Sequence, residues 1–263
     1  RTGQDNVTIT TDIVIDAVKV TDIETTIGDG ANANSGQVNI AAATGFKGTL
    51  DEMDDLATVI ATGNRVVQSS PANPGGADSG LVTGPTTMDA TKLVAINHSV
   101  ATGTVGNNGA LDVIAANKFE GPIIDLHSLA QAVSNSEIVR SGTDNVVITG
   151  AANNDTFESA KLVSIEKHLA DEATGGTVNI DAGEIFSGDQ SDLFDYIAIV
   201  KAGARFVTTA NQGVDKALLV NKTGGNDKTK WQLSTVLDAD THIANGTVAN
   251  GGFVDATAAE IFS

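Results

Sequence analysis

One short stretch recurs along this chain and constrains its fold more than any other feature. The copy at residues 178–188 reads VNIDAGEIFSG, and every copy has an apolar residue, then Asn or Asp, then small residues, with Phe in the ninth position. The copies occupy residues 38–48, 111–121, 178–188 and 254–263. Their phenylalanines, Phe46, Phe119, Phe186 and Phe262, are 73, 67 and 76 residues apart. A period of this length predicts repeated structural units.

A second marker has nearly the same period. The segment DNVTIT at Asp5 recurs as DNVVIT at Asp144, with weaker versions at Asp78 and Asp215, so that the aspartates are 73, 66 and 71 residues apart. We therefore predict three repeat modules, 1–77, 78–143 and 144–214, and a truncated fourth, 215–263. The first and last segments, Asp5–Asp16 and Val254–Ser263, are incomplete module parts that we expect to join neighbouring units.

Local patterns within a module predict short strands and one helix. In the third module we predict strands at residues 145–149, 162–165 and 177–181, because each is short and rich in β-branched residues. The spacing of Leu193, Phe194, Ile197, Ala198 and Val200 then predicts a helix, as do the stripes that begin at Leu50 and Leu126. The predicted fold is mainly β with short helices: an elongated, β-solenoid-like tandem repeat of about 70 residues per module.

The charge balance excludes some partners. The chain has 15 Lys and Arg against 33 Asp and Glu, a net charge of −18. Such a charge repels phosphate and anionic lipid, so nucleic acid is not an expected partner. The sequence contains no apolar run of about 18 residues, and no transmembrane segment is predicted. Arg1 fits the start of a processed or partial chain.

Catalytic chemistry finds little support in the sequence. Cysteine is absent, and the four histidines are dispersed without a metal-binding spacing. The densest carboxylates, Asp51, Glu52, Asp54 and Asp55, fall early in a predicted helix, where they complement the helix dipole. We therefore predict no catalytic residues and no enzyme activity.

Calcium is the cofactor that the acidic loops favour. Clustered Asp and Asn side chains with backbone carbonyls supply the hard oxygen ligands that Ca²⁺ prefers. The candidate ligands are Asp29, Asn32, Asn154, Asp155, Asp189, Asp192, Asp238 and Asp240. Each of these loops also fits a plain turn, and both interpretations stay open.

The order of elements in residues 178–209 resembles repeats of large secreted bacterial surface proteins and adhesins. A strand with small residues is followed by an Asp-rich cap, a helix and a returning V-x-T strand. The Ile23-Glu24 and Ile165-Glu166 elements, followed by Gly-rich VNI strands, are similar to segments of surface-layer and RTX-type exported proteins. The resemblance implies an extracellular, structural, often calcium-dependent protein without catalytic residues.

These observations predict a structural component of a cell-surface or extracellular assembly, such as a surface layer, a filament or an adhesin stalk. Its partners would be copies of itself or further repeats of the same protein, and also cell-surface polysaccharide. Two alternatives stay open: a polysaccharide-active enzyme on a β-solenoid, with convergent charged side chains on one exposed face, and a viral tail or capsid-decoration protein.

Overall fold

The structure is a computed structural model. It describes residues 6–10, 14–26, 36–40, 43–62, 66–67, 79–101, 109–140, 144–149, 155–170, 175–180, 183–202, 206–207, 216–220, 230–244, 252–257 and 261–262. These residues form an α/β fold of short parallel strands that alternate with seven α-helices. The prediction of a mainly β, solenoid-like fold is wrong, because helices of 7 to 13 residues alternate with strands of only 2 to 6.

The elements follow one another in a regular order. The helices are α1 (Ala17–Thr26), α2 (Leu50–Ala61), α3 (Ala90–Ser99), α4 (Ile123–Ser134), α5 (Ser159–Ile165), α6 (Gln190–Ala202) and α7 (Leu233–His242). The strands are β1 (Val7–Thr8), β2 (Val14–Asp16), β3 (Val38–Asn39), β4 (Gly45–Gly48), β5 (Val66–Val67), β6 (Ser79–Val82), β7 (Thr87–Asp89), β8 (Leu111–Asp112), β9 (Lys118–Gly121), β10 (Ile138–Val139), β11 (Asn145–Ile148), β12 (Asp155–Glu158), β13 (Val178–Asn179), β14 (Gly183–Gly188), β15 (Phe206–Val207), β16 (Lys216–Leu219), β17 (Lys230–Trp231), β18 (Phe253–Asp255) and β19 (Ile261–Phe262).

The chain divides into two compact units. Unit 1 comprises Arg1–Lys118 and Gln131–Gly142, and unit 2 comprises Phe119–Ala130 and Thr143–Ser263. Unit 1 contains a five-stranded sheet in the order β10-β8-β6-β4-β2 and a three-stranded sheet in the order β1-β3-β5. Unit 2 contains a four-stranded sheet in the order β12-β14-β16-β18, and β17 pairs with β19. The registered strand pairs within these sheets are parallel.

The register of the five-stranded sheet reveals a period shorter than the predicted module. Val14 pairs with Gly45 and Gly45 with Ser79, which are separations of 31 and 34 residues. A helix lies between each pair of strands, as parallel pairing requires a long crossover. One module of about 70 residues therefore holds two strand–helix units. The four module boundaries themselves stay a prediction.

The repeated phenylalanines have equivalent places in the fold. Phe46, Phe119 and Phe186 lie on β4, β9 and β14, each is 0% exposed, and each strand leads into a helix. Phe262 lies on β19, but its side chain is outside the described residues. The intervening units use other large side chains in the strand before the helix: Ile15, Met88, Phe157 and Trp231, which are 0 to 8% exposed.

The predicted strand at residues 162–165 is wrong, because this segment belongs to helix α5. Leu162, Ile165 and Leu169 are 0% exposed, and their spacing of three and four residues turns one helical face toward the core. The helix continues as a π-helical turn, Glu166–Ala170. A short apolar run does not distinguish a strand from a buried helix segment, so the sequence pattern allowed both.

The predicted helices are confirmed, but the apolar stripe predicted for α6 is only partly buried, since Leu193 and Ile197 are buried whereas Phe194 and Ala198 are exposed. Helix α2 begins at a capping box in which Thr49 and Glu52 exchange hydrogen bonds between side chain and backbone. In α6 Phe194, a member of the helical stripe that predicted this helix, is 56% exposed, whereas Tyr196 is 2% exposed. The Tyr196 ring stacks on Phe186, with centroids 5.3 Å apart, and this contact sets which face of α6 is buried.

We predict that Phe186→Ala lowers the free energy of unfolding by about 3–5 kcal/mol, because it leaves a cavity among Phe157, Tyr196 and the sheet. Phe194→Ala, the matched control, should change it by less than about 0.5 kcal/mol because this side chain is exposed. Urea denaturation followed by fluorescence of Trp231, the single tryptophan, measures both. Equal midpoints for the two variants would contradict the assigned core.

Candidate functional site

The outer face of the five-stranded sheet in unit 1 carries the most distinctive exposed arrangement of side chains that the structure describes. Each strand contributes one residue to a cross-strand row on this face, which we call the outer row. The outer row is Asp16, Lys47, Leu81, Asp112 and Val139, in register across β2, β4, β6, β8 and β10. The residue one position earlier on each of these strands points to the helices and is buried, because successive side chains of a strand point to opposite faces of the sheet.

A groove of about 330 Å³ lies on this face. Its lining is mainly apolar, and Asp112 is its single charged residue. The lining residues are Val14, Phe46, Ser79, Gly80, Leu81, Ala110, Asp112 and Val139. Val14 and Leu81 remain 49% and 40% exposed. The groove therefore offers a shallow apolar surface with one carboxylate.

An ion-pair cluster stands at the β2 end of the outer row. Asp16 contacts Lys19 at 2.6 Å and Lys47 at 3.4 Å. The hydrogen bond from Lys19 holds the pKa of the Asp16 carboxyl below its ordinary value, and the charge of Lys47 adds to this effect. The Asp16 carboxyl is therefore ionised at neutral pH, where it forms ion pairs and does not act as a proton donor.

The carboxylates of the outer row are too far apart to act as a hydrolytic pair. Asp16 and Asp112 lie on strands separated by three steps of the sheet, or about 14 Å at the usual strand spacing. Glycosidases place their two carboxyl groups within about 5–9.5 Å of each other. Asp112 also accepts a hydrogen bond from the Ile114 N–H at 2.9 Å, which orients it locally. This face thus fits contact with a partner better than acid–base chemistry.

The predicted calcium ligands do not converge in the described part of the chain. Asp189 caps helix α6, since its Oδ1 accepts hydrogen bonds from the Ser191 and Asp192 N–H groups at 2.9 and 3.0 Å. Asp238 pairs with Lys201 at 2.7 Å, and Asp240 is exposed on α7. The backbone of Asp155 lies in β12, but its side chain is not described, and Asp29, Asn32 and Asn154 lie outside the described residues. Among the residues that are described, no group of three or more His, Asp or Glu has a metal-binding arrangement.

The acidic segment of α2 contributes to contact between helices as well as to the helix dipole. Lys92 of α3 reaches Asp51 at 2.5 Å and Asp54 at 3.9 Å. Burial raises the pKa of the Asp54 carboxyl, while the charge of Lys92 opposes that shift. The hydrogen bond to Asp51 raises the pKa of Lys92. Sequence analysis missed Lys92 as a partner because it lies 41 positions from Asp51, and only the helix order brings the two together.

Comparison with protein-family models, with curated proteins and with solved structures gave no match. No helix in the described part of the chain has the length and hydrophobicity needed to cross a lipid bilayer.

We predict that Asp16→Asn lowers the urea midpoint at pH 7, because it removes the carboxylate that pairs with Lys19 and Lys47. The folded pKa lies below the ordinary value of 3.8, so the contribution is present above pH 3.8 and is lost as the pH falls through the folded pKa. The difference between variant and wild type should therefore shrink below pH 3.8.

Asp22→Asn provides the control for this prediction. Asp22 is exposed on α1, and its substitution changes the net charge by the same amount. Equal effects of the two substitutions at pH 7 would show that general charge repulsion, and not the ion pair, is responsible.

Proposed function

We propose that this protein is a structural, non-catalytic component of a cell-surface or extracellular assembly, such as a surface layer, a filament or an adhesin stalk. The supporting observation is the pairing of successive strand–helix units within each compact unit. Val7 pairs with Val38 and Val38 with Val66 in unit 1, and Ile185 pairs with Lys216 and Lys216 with Phe253 in unit 2. A sheet built this way presents, at each edge, a strand that can pair with a further unit.

In the described residues, several polar side chains connect one strand–helix unit to another. Lys92 links α3 to α2, and Lys201 links α6 to α7. Gln190 at the start of α6 accepts a hydrogen bond from the Gln232 N–H at the start of α7. These polar contacts hold each strand–helix unit against the next one, and this supports a role in association.

The acidic surface supports an effect of divalent cations on this assembly. Copies that each carry a net charge of −18 repel one another unless counterions screen or bridge the carboxylates. Calcium binding by the acidic loops, with Asp189, Asp192, Asp238 and Asp240 as described candidates, remains part of the proposal.

We predict that the protein sediments as larger species when its concentration is raised, and that calcium increases their proportion because it offsets charge repulsion. Sedimentation velocity in EDTA, in Mg²⁺ and in Ca²⁺ at matched ionic strength measures this, with negative-stain electron microscopy of the same samples. Equal effects of Mg²⁺ and Ca²⁺ would point to general screening. A monomer in every condition would overturn the proposed function.

A further inference from the structure

Helices α2 and α4 are equivalent elements of successive repeats, but they differ in charge at two positions. The buried phenylalanines on the preceding strands, Phe46 and Phe119, align the two helices. Eight positions after the phenylalanine stand Asp54 in α2 and His127 in α4. The repeat therefore replaces a carboxylate with an imidazole, a group that gains a positive charge in acid.

In the first of these repeats the two positions bind a lysine. Lys92 of α3 contacts Asp51 at 2.5 Å and Asp54 at 3.9 Å, so it links α3 to α2. In α4 the positions of these two carboxylates are taken by Ile124 and His127. The carboxylates that attract the lysine in one repeat are thus missing from the equivalent helix of the next.

The equivalent lysine is nevertheless present. Lys161 of α5 and Lys92 of α3 each stand four positions after the buried residue that precedes their helix. Lys161 pairs with Glu158 at 2.8 Å, and its side chain is only 23% exposed. His127, Lys161 and Glu158 all belong to unit 2. One compact unit therefore holds a largely buried lysine and a histidine where the other unit holds a lysine and an aspartate.

The environment of His127 disfavours its charged form. Its Nδ1 atom is buried and has no hydrogen-bond partner among the residues that the structure describes. A proton added at Nδ1 has no acceptor there, and an unpaired buried charge is costly. Burial lowers the pKa of His127 below its ordinary value of 6.5, the charge of Lys161 adds to this effect, and the charge of Glu158 opposes it. The imidazole is therefore neutral at neutral pH, where it does not repel the lysine.

We propose that His127 is an acid-sensitive switch within unit 2: protonation of its imidazole sets two positive charges, His127 and Lys161, against each other and loosens α4 from the segment formed by β12 and α5. The equivalent contact between α2 and α3 has Asp54 at this position and stays attractive in the same pH range. The inference goes beyond the proposed function and does not depend on it, because it concerns the stability of a single chain.

The direction of the pKa shift gives the pH range of the effect. A histidine whose pKa is lower in the folded than in the unfolded state binds fewer protons when the protein is folded. Its contribution to stability is therefore complete above pH 6.5 and decreases as the pH falls below that value. The decrease ends once the pH lies below the folded pKa of His127.

The first test compares His127→Gln with His98→Gln, its matched control. His98 is exposed on α3, so each variant replaces one helical histidine with the same uncharged side chain. Urea denaturation is followed by fluorescence of Trp231, the single tryptophan, which lies in unit 2. Between about pH 7.5 and about pH 5, the equilibrium constant for unfolding should rise at least about threefold more in wild type and His98→Gln than in His127→Gln.

The second test changes the two charges that act on the imidazole. Lys161→Gln should raise the pKa of His127, and Glu158→Gln should lower it. Two-dimensional NMR of the imidazole nitrogens follows the titration, with the His98 signals as the internal reference in unit 1. In wild type the His127 midpoint should lie below 6.5. Opposite shifts in the two variants distinguish an effect of charge from a merely structural role of these side chains.

Each result decides for or against the switch. A His127 midpoint at or above 6.5 in wild type, or equal acid losses in wild type and His127→Gln, overturns the inference. A lower midpoint that moves in opposite directions in Lys161→Gln and Glu158→Gln, with the smaller acid loss of His127→Gln, supports it. If His127→Gln does not fold, the NMR titrations of wild type and of the two charge variants decide alone.

Discussion

The fold depends on the packing of one buried side chain per strand against its neighbour in the next parallel strand. In unit 1 the buried row runs from Ile15 to Phe46, Gly80 and Leu111. There is no room for a side chain at position 80, since a Cβ on Gly80 would lie 2.6 Å from Leu111 Cδ1 and 3.3 Å from Met53 Cε. A large ring beside a minimal residue fills the core without overpacking it.

Unit 2 has a buried row of the same kind, formed by different residues. Its row includes Phe157, Phe186 and Ala217, again with a small residue beside the central ring. Phe157 and Phe186 meet edge to face, with centroids 6.2 Å apart. The repeat therefore preserves a large apolar side chain at this position rather than its identity, since Ile15, Met88 and Trp231 stand where the other units have phenylalanine.

The helices account for part of the acidic composition. Carboxylates cap helices, as Asp189 does, or pair with lysines of a neighbouring helix, as Asp51 and Asp238 do. Among the other described acidic residues, Glu24, Asp144 and Glu166 are buried, whereas Asp22, Asp55, Asp195 and Asp240 are exposed. The exposed carboxylates oppose association unless cations screen them.

Sequence patterns predicted the helices α2, α4 and α6 because each has a long apolar stripe, and α2 also has its Thr49 and Glu52 capping pair. They failed at residues 162–165, where the run is too short for its period to be read. They could not place the outer row, because Asp16, Lys47, Leu81 and Asp112 share no motif and meet only through strand register.

The sequence by itself determined that the chain is repetitive, because copied segments are visible without any coordinates. Tertiary structure alone decided that one module holds two strand–helix units, and that Phe194 is exposed while Tyr196 is buried on the same helix. The physical reason is that burial depends on which element lies across from a residue. Contacts between residues about thirty positions apart are set by parallel strand register, which local patterns do not encode.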